Sequence, residues 1–137
     1  MKTYQPKENE IKRGWHLVDA KNAVLGRIST QIAIYLMGKN KPNYSTQTDM
    51  GDFVVVLNAE KVKLTGKKTE QKEYISHSGY PGGLKIVSFA KMHTEHPERV
   101  IEHAVSGMLP DNKLKGPRMT RLNVIVGDKN PYEAKFK

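Results

Sequence analysis

Five consecutive residues, Phe53-Val54-Val55-Val56-Leu57, are apolar, and the middle three are β-branched. A strand with one face in water alternates apolar and polar residues. A run without alternation suits a strand buried on both faces, as in a parallel sheet covered by helices. The upstream sequence fits such a sheet. Trp15 to Ala20 is a short apolar run that reads as a strand, and Lys21 and Asn22 make a turn. Leu25 to Met37 then places Leu25, Ile28, Ile32 and Leu36 on one face of a 3.6-residue period. Gly38 is a natural C-terminal stop, and Pro42 keeps the helix from resuming. A right-handed crossover therefore joins the strand at Trp15 to the strand at Phe53 through the helix at Leu25.

Downstream, Asn58 is expected to cap a short helical turn, and Thr65 to Lys68 forms a basic turn. Lys72 to His77 alternates and reads as an edge strand, followed by the loop Ser78 to Gly83 (SGYPGG). Ser88 to His96 reads as a short helix. Glu98 to Met108 reads as a better one, with Pro97 in its first turn and a stripe of Val100, Ile101, Ala104, Val105 and Met108. Val105 and Met108 anchor that helix in this reading, and Pro110 launches a basic loop from Asp111 to Arg121. Leu122 to Val126 is the last strand. Strands separated by helices predict one α/β domain over residues 15–127, with helices on both sheet faces. An extended arm, residues 1–14, precedes it, and a polar tail, residues 128–137, follows.

Twenty-three Lys and Arg oppose fourteen Asp and Glu, a formal net charge of +9. A polyanion partner would neutralise that self-repulsion, nucleic acid most commonly and an anionic membrane surface otherwise. No stretch approaches the roughly 20 apolar residues that span a bilayer, and the polar start resembles neither a secretory signal nor a transit peptide. The lack of cysteine excludes disulfides and thiolate-bound metals. Catalytic patterns are weak. No phosphate-binding fingerprint follows a strand. The glycine loop at Ser78 could hold a phosphate or be only a tight turn. His93, His96 and His103, with Glu95 and Glu102 nearby, lack the defined spacing of a zinc site. Asp49 and Asp52 flank Gly51 as turn formers rather than as a catalytic pair. No serine has a nucleophile-elbow setting.

The basic residues are the more informative set. They gather outside the apolar elements: Lys39 and Lys41; Lys67 and Lys68; Lys113, Lys115, Arg118 and Arg121. Tyr44 and Tyr80 sit beside such loops, and His77 borders the glycine loop. Cations release counterions from phosphates, while exposed aromatics and histidine stack on unpaired bases. One lysine pair is an ordinary solvated face, but three clusters point to RNA.

Five segments together resemble the bacterial large-subunit ribosomal protein thirteen family. They are WHLVDA with LGRIST (Trp15 to Thr30), Gly38 to Tyr44, GDFVVVLNAEKVKLTGKK (Gly51 to Lys68), HSGYPGG (His77 to Gly83) and AVSGMLP (Ala104 to Pro110), in the family's order. The resemblance implies a three-layer α/β/α domain around a mainly parallel sheet. It implies binding to large-subunit ribosomal RNA early in assembly, contacts with neighbouring ribosomal proteins, and no catalysis. No metal, cofactor, small-molecule substrate or membrane enters, and the setting is the cytoplasm, with an organellar ribosome as the alternative. The family's RNA-facing motifs land on Gly38, Lys39, Lys41, Tyr44, Lys67, Lys68, His77, Gly79, Tyr80, Gly82 and Gly83. Where the family has a Leu-Gly-Arg triplet, this chain has Lys115-Gly116-Pro117-Arg118, with Arg118 keeping the role. Where the family often has His-Pro-His, this chain has Asn130-Pro131-Tyr132. The competing readings are a regulatory RNA-binding protein acting off the ribosome and a nucleotide enzyme using the glycine loop.

Overall fold

The computed structural model describes residues 4–136, so residues 1–3 of the expected arm and the last residue of the tail lie outside it. The chain is mixed α/β. In order it forms β1 (Trp15–Asp19), α1 (Leu25–Met37), β2 (Phe53–Leu57), α2 (Lys68–Gln71), β3 (Glu73–His77), β4 (Leu84–Ser88), α3 (Phe89–Glu95), α4 (Pro97–Met108), α5 (Lys115–Thr120) and β5 (Leu122–Val124). Strands β1, β2 and β5 make a parallel sheet with β2 in the middle, while β3 and β4 make a separate antiparallel hairpin.

The apolar run occupies the central strand, and Val54, Val55 and Val56 are fully buried. Strand alternation sends neighbouring side chains to opposite faces. Val54 and Val56 join Val18, Leu122, the Ile28–Ile32–Leu36 stripe of α1, and Val100, Ile101 and Val105 of α4 in one core. Helices α1 and α4 pack on each other, α1 on β2 and α4 on β5. Val55 is buried but stands outside that cluster. On the edge of its own face, Trp15 stacks on Phe53 at 4.5 Å between centroids and on Tyr132 at 5.6 Å, with Phe136 edge-on at 6.1 Å. Helices were expected on both faces. Among the described residues the C-terminal segment, not a second helical pair, meets the Trp15 side. The tail expected to be merely polar is tied down by its two aromatic rings.

Several local expectations change. Asn58 does not cap the turn after β2; it adopts a left-handed conformation (φ 57°), and its side chain donates to Asp19. Its own N–H donates to the Gly127 carbonyl, so Asn58 joins the ends of all three parallel strands. Helix α2 replaces part of a basic turn, and β4 follows the glycine loop where no strand was expected. Helix α5 lies inside the expected loop. Pro117 is tolerated there because the first N–H groups of a helix need no internal acceptor. Met108 is 40% exposed and does not anchor α4, while Val105 does.

The turn before β2 does more than reverse the chain. Asp52 Oδ1 accepts from Lys41 Nζ at 2.6 Å and from the Gly14 N–H at 3.0 Å, and its Oδ2 lies 2.8 Å from His16 Nε2. Asp49 accepts two bonds of 2.6 Å from Arg121 and has Arg13 and Arg118 nitrogens at 3.8 Å. Arg13 Nη1 also donates to the Gly51 carbonyl at 2.5 Å. Gly51 is required by crowding: a Cβ there would overlap the Leu36 carbonyl at the end of α1. Burial pushes both carboxyls upward, but their cationic and N–H partners outweigh it and hold each below its usual range.

Because the folded carboxyls titrate below their unfolded values, the stabilisation is present above about pH 4 and is lost as pH falls through the folded-state values. Replacing Asp52 by Ala strands Lys41 and His16, and should lower the free energy of unfolding by about 3 kcal/mol in urea melts. Asp52→Asn should also flatten the acid limb of a stability–pH curve between pH about 5 and 2. An unchanged limb would show that the pair adds nothing to folding.

Candidate nucleic-acid interface

Strands β3 and β4 pair from Glu73↔Ser88 to His77↔Leu84. Two-stranded hairpins need packing to persist. Tyr74 and Val87, paired across it, provide this by turning toward Met92 and His103, with the Tyr74 and His103 rings edge-on at 5.1 Å. Burial pushes the Tyr74 hydroxyl pKa upward. The opposite face is open: Ile75, Leu84 and Ile86 are all more than half exposed. At the tip, Gly79 and Gly82 adopt positive φ (85° and 71°), which side chains disfavour. The Gly83 N–H donates to the Tyr80 carbonyl, closing the turn and leaving Tyr80 76% exposed. The Gly79 N–H donates to His77 Nδ1 at 2.9 Å. An accepting Nδ1 places the neutral ring's proton on Nε2, where it is available as a donor.

Lys67 and Lys68 lie at the start of α2, just before this hairpin, and both are exposed. Lys85, which the sequence reading passed over, is exposed on β4 opposite Ser76. Its signal was the Leu-Lys-Ile-Val run directly after a glycine-containing loop, the pattern of a returning hairpin strand. The structure thus assembles His77, Gly79, Tyr80, Gly82, Gly83 and Lys85 on one exposed hairpin. Such a surface can present backbone N–H groups, a stacking ring and cations to phosphates and unpaired bases.

The remaining sequence candidates divide. Lys39 is exposed after Gly38, beside the half-buried Tyr44, and Lys113 is exposed. Lys115 is half-buried and bonded to Asp111 at 2.5 Å, holding that carboxyl below its usual range. Lys41 is turned inward, donating to the carbonyls of Lys12 and Met50 as well as to Asp52. Arg118 is 1% and Arg121 7% exposed, both directed at Asp49. From sequence these three look like surface cations. The one acid that draws two of them in, Asp49, lies more than 65 residues away from both, so no local pattern reveals the pairing.

The sequence matches the family model described as Ribosomal protein L13 over residues 13–131. It is 52% identical over 134 residues to the large ribosomal subunit protein uL13 of Roseiflexus sp. (strain RS-1), covering 98% of this chain and 92% of that one. Identity to the protein of the same description from Clostridioides difficile (strain 630) is also 52%, covering 98% and 94%. For Trichormus variabilis it is 50% over 133 residues, covering 97% and 88%.

Outward and inward cations should separate in thermal melts. Replacing Lys67, Lys68 or Lys85 by Ala should leave stability within about 0.5 kcal/mol. Arg121→Ala, which strands Asp49, should cost about 3 kcal/mol or more. Equal effects in the two groups would refute the division.

Proposed function

Because this chain belongs to the ribosomal protein L13 family, we propose that it is a structural constituent of the large ribosomal subunit, a scaffold on ribosomal RNA rather than an enzyme. The observation that carries this reading is the exposed glycine-tipped hairpin in a chain that follows its relatives along nearly its whole length. Lys67, Lys68 and Lys85 neutralise phosphates, His77 and the tip amides donate to them, and Tyr80 stacks on an unpaired base. Lys39, Tyr44 and Lys113 extend the contact from the loops after α1 and α4. Lys41, Arg118 and Arg121 serve chiefly by fixing the body that carries these surfaces, and Lys115 by holding its own helix start.

In this reading residues 15–127 are the RNA-binding unit, and the arm (1–14) continues along RNA or a neighbouring ribosomal protein. Of the tail (128–137), Tyr132 and Phe136 cover Trp15 at the edge of the sheet. Binding occurs early in subunit assembly, in the cytoplasm or inside an organelle that keeps its own ribosomes. Among the described residues no helix is long and apolar enough to cross a membrane.

Two measurements test it. The chain should cosediment stoichiometrically with large subunits through a high-salt wash; its release into messenger RNA complexes would favour the regulatory alternative. The combined Lys67→Ala, Lys68→Ala and Lys85→Ala variant should bind large-subunit RNA more weakly. Its plot of log affinity against log salt should be shallower by about 2 to 3, roughly one per lost phosphate contact. An unchanged slope would remove these three lysines from the interface.

A further inference from the structure

A cavity of about 390 Å³ opens between the end of α1 and the corner joining α4 to α5. That is at the lower end of the range for small-ligand sites. Its apolar wall includes Met37, Met108 and Leu109, with Tyr44 beside them. Lys39 and Arg118 supply two cations, and no carboxylate is among the lining residues.

Arg118 is the unusual member. It is 1% exposed, and its Nε and Nη1 donate to no acceptor among the described residues. The nearest carboxylate, Asp49, is 3.8 Å from Nε and already takes two 2.6 Å bonds from Arg121. A buried guanidinium with unmade hydrogen bonds is costly. Its planar fork suits the oxygens of a phosphate. Around Asp49 and Asp52 stand Arg13, Lys41, Arg118 and Arg121, so this corner holds more positive than negative charge. A phosphate in the cavity would balance that charge, and a turn of the Arg118 side chain from Asp49 toward it would complete the unmade bonds. The thioether of Met108 and the phenol of Tyr44, which share the lining, are polarisable surfaces of the kind on which a base rests.

We infer that this cavity takes one RNA nucleotide turned out of its stack, its phosphate held by Arg118 and Lys39 and its base against Tyr44 and Met108. The inference rests on the RNA-binding reading above but concerns a site separate from the hairpin. It assigns Arg118 a ligand in addition to its role beside Asp49. It also explains why Met108 stays exposed at the end of a stripe whose Val100, Ile101 and Val105 are buried.

The test is a titration of the full chain with adenosine monophosphate, and separately with inorganic phosphate, followed by nuclear magnetic resonance. The nucleotide should shift the Arg118 Nε–H, the Met108 methyl and the Tyr44 ring together, and bind at least about tenfold tighter than phosphate, which should shift only Arg118. Arg118→Lys keeps the charge but loses the fork, and should weaken nucleotide binding by about tenfold. Because Arg118 is interior, Lys39→Gln serves as the second variant; it lies at the surface and should weaken binding without altering the melting temperature. Shifts confined to Arg118 with both ligands would overturn the nucleotide assignment. A silent titration by a chain that still binds large-subunit RNA would overturn the cavity alone. Loss of both would overturn the RNA reading as well.

Discussion

Asp49 and Asp52, three residues apart in the turn that feeds β2, draw together the N-terminal segment, the basic loop after α1, strand β1 and the end of α5. The core of this protein is a short parallel sheet, and each parallel strand arrives by a long connection. Nothing in the backbone ladder of β2 prevents its entry from shifting against α1. The two carboxylates supply that registration. Asp52 binds Gly14, immediately before β1, and Lys41, in the loop after α1. Asp49 grips Arg121, the residue before β5. The entrances of all three parallel strands are thus pinned to one turn.

Interior ion pairs of this kind are weak contributors to net stability, because desolvation offsets most of the Coulomb gain. Their value here is positional. A hydrophobic substitute could fill the space beneath α5 but would not aim Arg121 at Asp49, nor hold Lys41 over the Met50 carbonyl. The crowding of Gly51 against Leu36 reinforces the effect, since the turn cannot back away from α1 without losing those bonds. At the other end of the strands Asn58 does a similar job with hydrogen bonds alone, linking Asp19 and Gly127. The sheet is consequently stapled at both ends and filled with valine between. That leaves the β3–β4 hairpin free to expose isoleucine, leucine and tyrosine without endangering the fold.

This division of labour separates two kinds of cation that composition cannot distinguish. Lys67, Lys68 and Lys85 stand in water on or beside the hairpin. Lys41, Arg118 and Arg121 belong to the body. Both add to the net charge of +9, yet only the first group reaches outward. The net charge therefore counts cations that stand in water together with cations that are held inside the fold.

The sequence by itself determined the parallel sheet's central strand, the two long helices and the glycine-tipped turn. In each case the signal is local: an unbroken apolar run, a 3.6-residue stripe, or glycines where the backbone needs positive φ. The family motifs, spread from Trp15 to Pro110, were legible for the same reason. What only the tertiary structure decided depends on residues far apart in the chain. It turned Arg118 and Arg121 inward, because their carboxylate partner lies near the start of β2. It made the tail a cover for Trp15, because Tyr132 and Phe136 have no apolar neighbour until the sheet forms. It also paired β4 with β3 and set Lys85 beside the tip. Periodicity reports which face of an element is apolar, but not which distant charge or ring that face will meet.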